Sequence, residues 1–290
     1  MTEGFLIVDK ASGMTSHDVV GRVRRATGVR KVGHAGTLDP LATGVVVVAI
    51  GRVTRLIRFI QDLPKEYLAT GMFGVATDSL DADGAVLSRQ PMPISAEEVD
   101  DVIPRFTGVI DQVPPMVSAL RVGGERLYEI ARRGETVERE TRRVTVYELE
   151  MTDFAPGPYP EAVFRVVCSK GTYIRSLVDD MARALGGEAH LTALRRTRVG
   201  SLGLDRAVAV DELEDYLGHL LTPAQALADL PAVEVDHAVA DGVAHGLRFA
   251  TGPLAQLDPD TSTAVLGPEG HLVAVYRRSG EEARPEVVLT

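Results

Sequence analysis

Hydrophobic positions along the chain follow two different periods, which together predict a mixture of strands and helices. Alternating or continuous apolar runs are typical of strands and occur at 4–10, 44–50, 65–78, 141–154 and 161–170. Apolar residues three or four positions apart are typical of helices and occur at 15–28, 54–63, 95–108, 172–187 and 210–217. Because the order shows no regular strand–helix–strand rhythm, it predicts an α+β fold with a mixed, largely antiparallel sheet core and flanking helices.

Three of the predicted helices begin with residues that cap helix N-termini. Thr15 or Ser16 begins the first, Ser95 with Glu98 forms a capping box at the third, and Thr172 precedes the fourth. These side chains accept hydrogen bonds from N–H groups that the first helical turn leaves without a partner. We therefore expect the helices to begin at these positions.

The character of the sequence changes near residue 230, after a short segment between Pro223 and Pro231. Beyond this point, short apolar stretches alternate with glycine-rich and proline-rich turns, as in GPEGHLVAVYRR. We expect a large domain over 1–230 and a small β-rich module over 231–290.

Composition excludes several classes of protein and leaves a nucleic-acid partner open. The single cysteine, Cys168, excludes a disulfide framework and a thiolate-rich metal site. The chain shows neither a signal peptide nor an apolar run long enough to span a membrane, which favours a cytoplasmic protein. The net charge of −10 argues weakly against nucleic acid, but basic residues cluster at 22–31, 131–143 and 194–200. A locally positive surface of this kind is compatible with a phosphate backbone.

Several familiar catalytic and binding motifs are absent from the sequence. Neither glycine-rich nucleotide-binding motif is present, and neither are H-E-x-x-H and G-x-S-x-G. The stretch DSLDADG (78–84) resembles a calcium loop, but taking Ser79 as the first ligand places Gln90 where a bidentate glutamate is needed. We interpret this stretch as an acidic turn.

One loop, GHAGTLDPLATG (33–44), places a carboxylate directly before a buried valine-rich strand. Pro40 disfavours a helical conformation at Asp39 and so keeps its side chain in an extended turn. Asp39 has no second carboxylate in its motif, whereas glycoside hydrolysis usually uses two. A lone carboxylate fits an isomerisation in which the aspartate acts as nucleophile or base. A nucleoside or sugar hydrolase is the weaker alternative.

The same loop belongs to an ordered series of motifs that resembles the bacterial tRNA pseudouridine-55 synthases of the TruB type. The similarity spans most of the first 200 residues. The C-terminal module of the chain is similar to a small PUA-type RNA-binding domain. The motifs that carry the resemblance are LIVDKASGMTSHDVV (6–20), GHAGTLDPLATGVV (33–46), KEYLATGMFGVATDSLDADG (65–84), PPMVSALRVGGERLYEIARRGE (114–135), VVCSKGTYIRSLVDDMARALG (166–186) and HLTALRRTRVG (190–200). One departure is Ala11, where the family usually has proline after the lysine.

The resemblance assigns the reacting pocket to residues from four of these motifs. It implies that Asp39 is the catalytic carboxylate and that Arg175 is its salt-bridge partner. Tyr67 would stack on the target uracil after the base leaves its loop. Tyr173 and Leu194 would line the same pocket.

The resemblance also implies residues that hold the RNA outside the pocket. His34 would position the substrate, as a flat side chain that stacks where the extruded base had been. Lys10 would meet phosphates, together with the arginines of 22–30, 132–143 and 195–198. An insertion at about 120–143 would clasp the RNA.

The implied reaction isomerises the uridine at position 55 of the tRNA T-loop to pseudouridine after the base is flipped out. It requires neither a cofactor nor a metal. The implied partner is the T-arm of tRNA, with no protein partner and no membrane, and the chain is expected to act as a monomer. The alternative is an RNA-binding or tRNA-folding factor in which catalysis is dispensable.

Overall fold

A computed structural model describes residues 2–118 and 120–289. Parts of the expected clasp lie outside the described part of the chain, namely Ala119 and the side chains of Arg121, Val122, Arg126, Tyr128, Ala131 and Arg132. The helices are α1 Ser16–Thr27, α2 Ile57–Gln61, α3 Ala96–Val102, α4 Leu127–Arg132, α5 Ile174–Ala184, α6 Pro223–Ala226 and α7 His237–Ala244. The strands are β1 Gly4–Lys10, β2 Val32–His34, β3 Thr43–Ile50, β4 Lys65–Phe73, β5 Val75–Thr77, β6 Val86–Arg89, β7 Gly108–Gln112, β8 Arg121–Val122, β9 Glu125–Arg126, β10 Arg142–Ala155, β11 Glu161–Cys168, β12 Ala189–Val199, β13 Leu202–Gly203, β14 Val208–Ala209, β15 Ala232–Glu234, β16 Ser262–Leu266, β17 Leu272–Ser279 and β18 Glu282–Val288.

Two of the three predicted helix starts are confirmed, and one is wrong. At α1, the Thr15 hydroxyl accepts a hydrogen bond from the Asp18 N–H and the Asp18 carboxylate accepts one from the Thr15 N–H. Ser95 and Glu98 form the same capping box at α3. Helix α5 begins after Tyr173, however, and Thr172 does not cap it because its hydroxyl donates to the Ser169 carbonyl.

Two further predicted helices contain tighter 3₁₀ turns. The segment 54–63 begins within a 3₁₀ stretch over Gly51–Leu56 before α2 continues it. The segment predicted at 210–217 is a 3₁₀ helix over Leu213–His219. Short runs of this kind bury few apolar side chains, so helical spacing alone does not distinguish them from an α-helix.

The described chain divides into two compact units, of which the first comprises Met1–Leu38, Val45–Leu63 and Val199–Thr290. In it, β1 pairs in parallel with β14, and β2 pairs antiparallel with β3. The C-terminal residues form a separate four-stranded sheet in the order β15-β16-β17-β18. This sheet is the small β-rich module that the sequence predicts, while the boundary near residue 230 stays a prediction.

The second unit comprises Asp39–Gly44 and Pro64–Arg198 and carries the larger run of antiparallel strands. Strands β4, β11, β10 and β7 are successive antiparallel neighbours, and β12 lies on the other side of β4. Helix α5 packs closely on β4, since a Cβ at Gly71 would lie 2.5 Å from a methyl group of Val178. The α+β fold with a mixed, largely antiparallel sheet is thus confirmed.

Helix α5 contains a carboxyl group whose titration gives a test of stability. Burial, together with the smaller effect of the neighbouring Asp179 carboxylate, raises the pKa of Asp180 from 3.8 to about 6. The folded protein therefore binds this proton more tightly than the unfolded chain, so its stability falls as the pH rises from about 4 to about 6.

We expect Asp180→Asn to raise the free energy of unfolding at pH 7 by about 1–2 kcal/mol, because the amide removes the cost of a half-buried charge. The gain should vanish near pH 4, where the wild-type carboxyl is protonated when folded. Urea unfolding at pH 4 and pH 7 measures this change in the free energy of unfolding, and Asp101→Asn, at an exposed position, is the control. An equal gain at both pH values would contradict the assignment.

Candidate active site

The loop that carries Asp39 is fixed on both sides of the carboxylate. Before it, the Leu38 N–H donates to the Ser16 hydroxyl at 2.8 Å. After it, the Ala42 N–H donates to the Asp39 carbonyl at 3.1 Å, which closes a turn. The backbone at Asp39 therefore has little freedom.

The loop enters β3 through a glycine that cannot be replaced without strain. Gly44 has a φ of +99°, and a Cβ there would lie 2.2 Å from the carbonyl oxygen of Arg196. Thr43 and Gly44 pair in parallel with Arg195 and Arg196 of β12. The close approach of these two strands needs a residue without a side chain.

The structure brings Asp39 and Arg175 together, as the resemblance implies. The Arg175 Nη2 lies 2.9 Å from the Asp39 Oδ2. The side chain of Arg175 is 4% exposed, whereas that of Asp39 is 37% exposed. The carboxylate of Asp39 therefore lies against a buried cation, while more than a third of its side chain remains exposed.

Arg175 is itself fixed by three further groups. Its Nη1 donates to the Ser79 carbonyl at 2.7 Å, and its Nη2 donates to the Val117 carbonyl at 2.8 Å. The Asp81 Oδ2 lies 3.3 Å from its Nη1. Because the guanidinium has a rigid fork of donors, these contacts fix the direction from which it approaches Asp39.

Asp81 is a buried carboxylate of the site that the sequence analysis missed. It lies in the stretch that we interpreted as an acidic turn, and its side chain is 8% exposed. The Ser79 hydroxyl donates to the Asp81 Oδ1 at 2.5 Å. Asp39 has no second carboxylate within its own motif, but Asp81, which comes from a different motif, contacts the same arginine.

Tyr67 and Tyr173 both have half-buried side chains. Burial raises the pKa of each phenol, and the Asp39 charge raises both further. Tyr173 is also held by its backbone, because Gln112 accepts from its N–H at 2.7 Å and donates to its carbonyl at 3.0 Å. Gln112 is a second positioning residue that sequence reasoning missed, since nothing in its local pattern distinguishes it from an ordinary strand residue.

The other predicted site residues occupy different surroundings. Leu194 is 8% exposed and belongs to β12 of the second unit. His34 lies on β2 of the first unit, where its Nδ1 accepts from the Gly36 N–H at 3.3 Å. Lys10, also in the first unit, is fully buried, and its ammonium donates to the carbonyls of Ala11 and Met14. The burial of Lys10 gives no support to the predicted phosphate contact, which stays a prediction.

Family comparisons match most of the chain. Residues 24–174 match the N-terminal domain of the TruB family of pseudouridylate synthases, and residues 175–229 match the C-terminal domain of tRNA pseudouridylate synthase B. The chain belongs to the TruB family. It is therefore a pseudouridine synthase, an isomerase that rearranges a uridine without a group donor. Membership in the family, rather than the lone carboxylate, excludes the hydrolase alternative.

Curated relatives and solved structures agree with this assignment. The chain is 50% identical over 249 residues to tRNA pseudouridine synthase B of Symbiobacterium thermophilum, covering 86% of this chain and 83% of that protein. It is 43% identical over 298 residues to tRNA pseudouridine synthase B of Thermobifida fusca, covering 99% of each. A chain in a crystal structure of a Cbf5–Nop10–Gar1 complex has a TM-score of 0.79 and 26% identity, over 98% of this chain and 84% of that chain. The TruB-type fold therefore extends through nearly the whole chain.

The described residues were compared with the requirements of a membrane-spanning helix and of a metal site. In the described parts of the chain, no helix combines the length and the apolar character needed to cross a membrane. Within residues 2–118 and 120–289, no three His, Cys, Asp or Glu side chains are grouped as metal ligands would be.

Proposed function

We propose that this TruB-family chain isomerises the uridine at position 55 in the T-loop of tRNA, with Asp39 as the catalytic carboxylate. The observation that carries the proposal is the ion pair between the partly open Asp39 and the buried Arg175. The substrate class is supported by relatives that align over nearly the full chain and are named tRNA pseudouridine synthase B.

The reaction breaks the N1–C1′ bond of the uridine, turns the base, and joins C5 to C1′. The atoms of the product are those of the substrate, so the reaction needs only a group that starts the bond cleavage and a group that moves the C5 proton. Asp39 can attack the ribose or the base, or abstract a ribose proton. Each route needs an ionised and oriented carboxylate, and Arg175 provides both conditions.

The remaining pocket residues have roles in holding the base. Tyr67 presents an aromatic ring to the uracil, and such stacking is worth about 1–3 kcal/mol per base. Tyr173 and Leu194 form the apolar side of the pocket. Together they replace the stacking that the nucleotide loses when it leaves the T-loop.

A tritium-release assay tests the proposed function. Unmodified tRNA transcript that carries tritium at C5 of its uridines should release tritium to water in the presence of the chain, because C5 exchanges its proton for a bond to C1′. A matched transcript with cytidine at position 55 should release none. Equal release from both transcripts would show that another uridine is the substrate.

We expect His34→Ala to reduce turnover moderately, by about 10-fold, because it removes a stacking surface of about 1–3 kcal/mol without touching the reacting carboxylate. The effect should fall on the affinity for tRNA more than on the single-turnover rate constant. Filter binding and single-turnover kinetics separate the two quantities. A loss as complete as that caused by replacing Asp39 would contradict this division of roles.

A further inference from the structure

Arg196 is a buried guanidinium whose position disagrees with its expected role. The resemblance grouped it with arginines that meet phosphates, yet its relative exposure is 2%, and it is among the largest fully buried side chains. A group that meets the RNA backbone must reach solvent, whereas this one lies inside the sheet. The role of Arg196 must therefore be inferred from the residues that contact its side chain.

The strand pairing places Arg196 beside Tyr67. Strands β4 and β12 are neighbours in the sheet. The Thr192 hydroxyl donates to the Thr70 carbonyl at 3.2 Å, and the Thr197 hydroxyl donates to the Glu66 carbonyl at 3.3 Å. Residue numbers therefore rise along β12 as they fall along β4, so the two strands are antiparallel and Arg196 lies across from Tyr67. The Arg196 side chain hydrogen-bonds the Tyr67 phenol.

The chemistry of the two groups fixes the direction of this hydrogen bond. A guanidinium has donors and no acceptor, so the phenolic oxygen must accept. The hydroxyl hydrogen of Tyr67 is then free to donate elsewhere. The ring is also held at its polar end, where its hydroxyl would otherwise rotate.

We propose that Arg196 is a positioning residue that acts through Tyr67, directing the Tyr67 hydroxyl as a hydrogen-bond donor toward the flipped base. This inference rests on the proposed function, in which Tyr67 contacts the uracil. The base that is released from C1′ carries polar oxygens and nitrogens, so a fixed donor steadies it while it turns.

The charges around Tyr67 support this assignment. Burial raises the pKa of the phenol, while the charge and the hydrogen bond of Arg196 lower it. The other charged or titratable groups that act on it are Cys168 on β11 and Asp39 in the catalytic loop, and both raise the pKa. Lys65, which is buried on the same strand, adds a further cation near Cys168. Tyr67 thus stays protonated at neutral pH, as a donor must be.

The side chain of Arg196 can be changed without removing its backbone role. The close contact with Gly44 involves the carbonyl oxygen of Arg196, which any residue supplies. Replacement by lysine keeps the charge but loses the planar fork of donors, and replacement by glutamine loses the charge. These two variants therefore separate geometry from charge.

A double-mutant cycle between Arg196 and Tyr67 tests the proposal. We expect Arg196→Lys to lower the single-turnover rate constant about 10-fold with unchanged tRNA affinity, and to lower it by less than about 3-fold in a Tyr67→Phe background. Arg165→Lys is the matched control, because Arg165 lies on the adjacent strand β11 and pairs with Glu66 and Glu148. It should leave the rate unchanged. Equal costs in both backgrounds would overturn the proposal.

An absorbance titration of the phenols gives a readout that needs no turnover. Subtracting the curve of a Tyr67→Phe protein from that of the matching protein with Tyr67 isolates the titration of this tyrosine. In Arg196→Gln, the midpoint of the Tyr67 titration should move to higher pH because a cation has been removed. An unmoved midpoint overturns the proposal. Loss of the folded state in both Arg196 variants also overturns it, because Arg196 would then have only a structural role in the core. A wild-type chain that releases no tritium from tRNA would instead overturn the proposed function, while the titration still tests the contact.

Discussion

The Asp39→Asn variant is expected to bind unmodified tRNA with wild-type affinity and to form no pseudouridine. Asparagine keeps the size of the side chain and can accept a hydrogen bond from Arg175, so the loop keeps its shape. It cannot act as a nucleophile or base, and the single-turnover rate constant should fall by about 10⁴-fold, the upper end of what a positioned acid or base contributes. Single-turnover kinetics with excess enzyme and filter binding with the same transcript measure the two quantities.

The matched control is Asp100→Asn, which removes an exposed carboxylate from helix α3. It changes the net charge by the same amount and should leave both affinity and rate unchanged. A rate retained in Asp39→Asn would remove the catalytic role from Asp39. An inactive Asp39→Asn that still promotes tRNA folding would show that the alternative, an RNA-folding activity, exists beside catalysis.

Replacing Arg175 by methionine should lower both stability and turnover. The Asp81 side chain, 8% exposed, would lose its buried cation, and the carbonyls of Ser79 and Val117 would lose their donors. Removing one partner of a buried ion pair costs about 3–5 kcal/mol, because the remaining charge stays buried without compensation. Asp39 would also lose the cation that orients it. Urea unfolding and single-turnover kinetics measure the two losses.

An exposed ion pair of the same unit provides the comparison for stability. Arg143 lies 3.8 Å from Asp111, and both side chains are largely exposed. Arg143→Met should change the free energy of unfolding by less than about 1 kcal/mol. If Arg175→Met were no more destabilising than Arg143→Met, the buried network around Arg175 would not have the role assigned to it.

The fold could be predicted from the sequence where one local pattern determined the outcome. The capping pairs Thr15–Asp18 and Ser95–Glu98 form between residues three positions apart, so the local pattern is sufficient to place them. Thr172 illustrates the opposite case. Its neighbour Tyr173 is held by Gln112, which is distant in sequence, so the helix begins one residue later than its local pattern indicates.

The candidate site could be predicted where the resemblance assigned a role to a particular residue of a motif. Asp39 and Arg175 come from separate motifs, and the structure places them in contact. The burial of Asp81 and Arg196 was not predicted, because charged residues are typical of solvent-exposed positions, whereas tertiary packing buries both. The sequence alone does not show whether a charged residue in a turn or in a strand has a distant partner that allows it to be buried.

Mapping pseudouridine in a tRNA transcript tests the central claim most directly. The transcript is incubated with the wild-type chain or with Asp39→Asn, and each modified position is read by chemical labelling and primer extension. The account predicts a single pseudouridine at position 55 with the wild-type chain and none with Asp39→Asn. Modification at another position, or equal modification by both proteins, would contradict it.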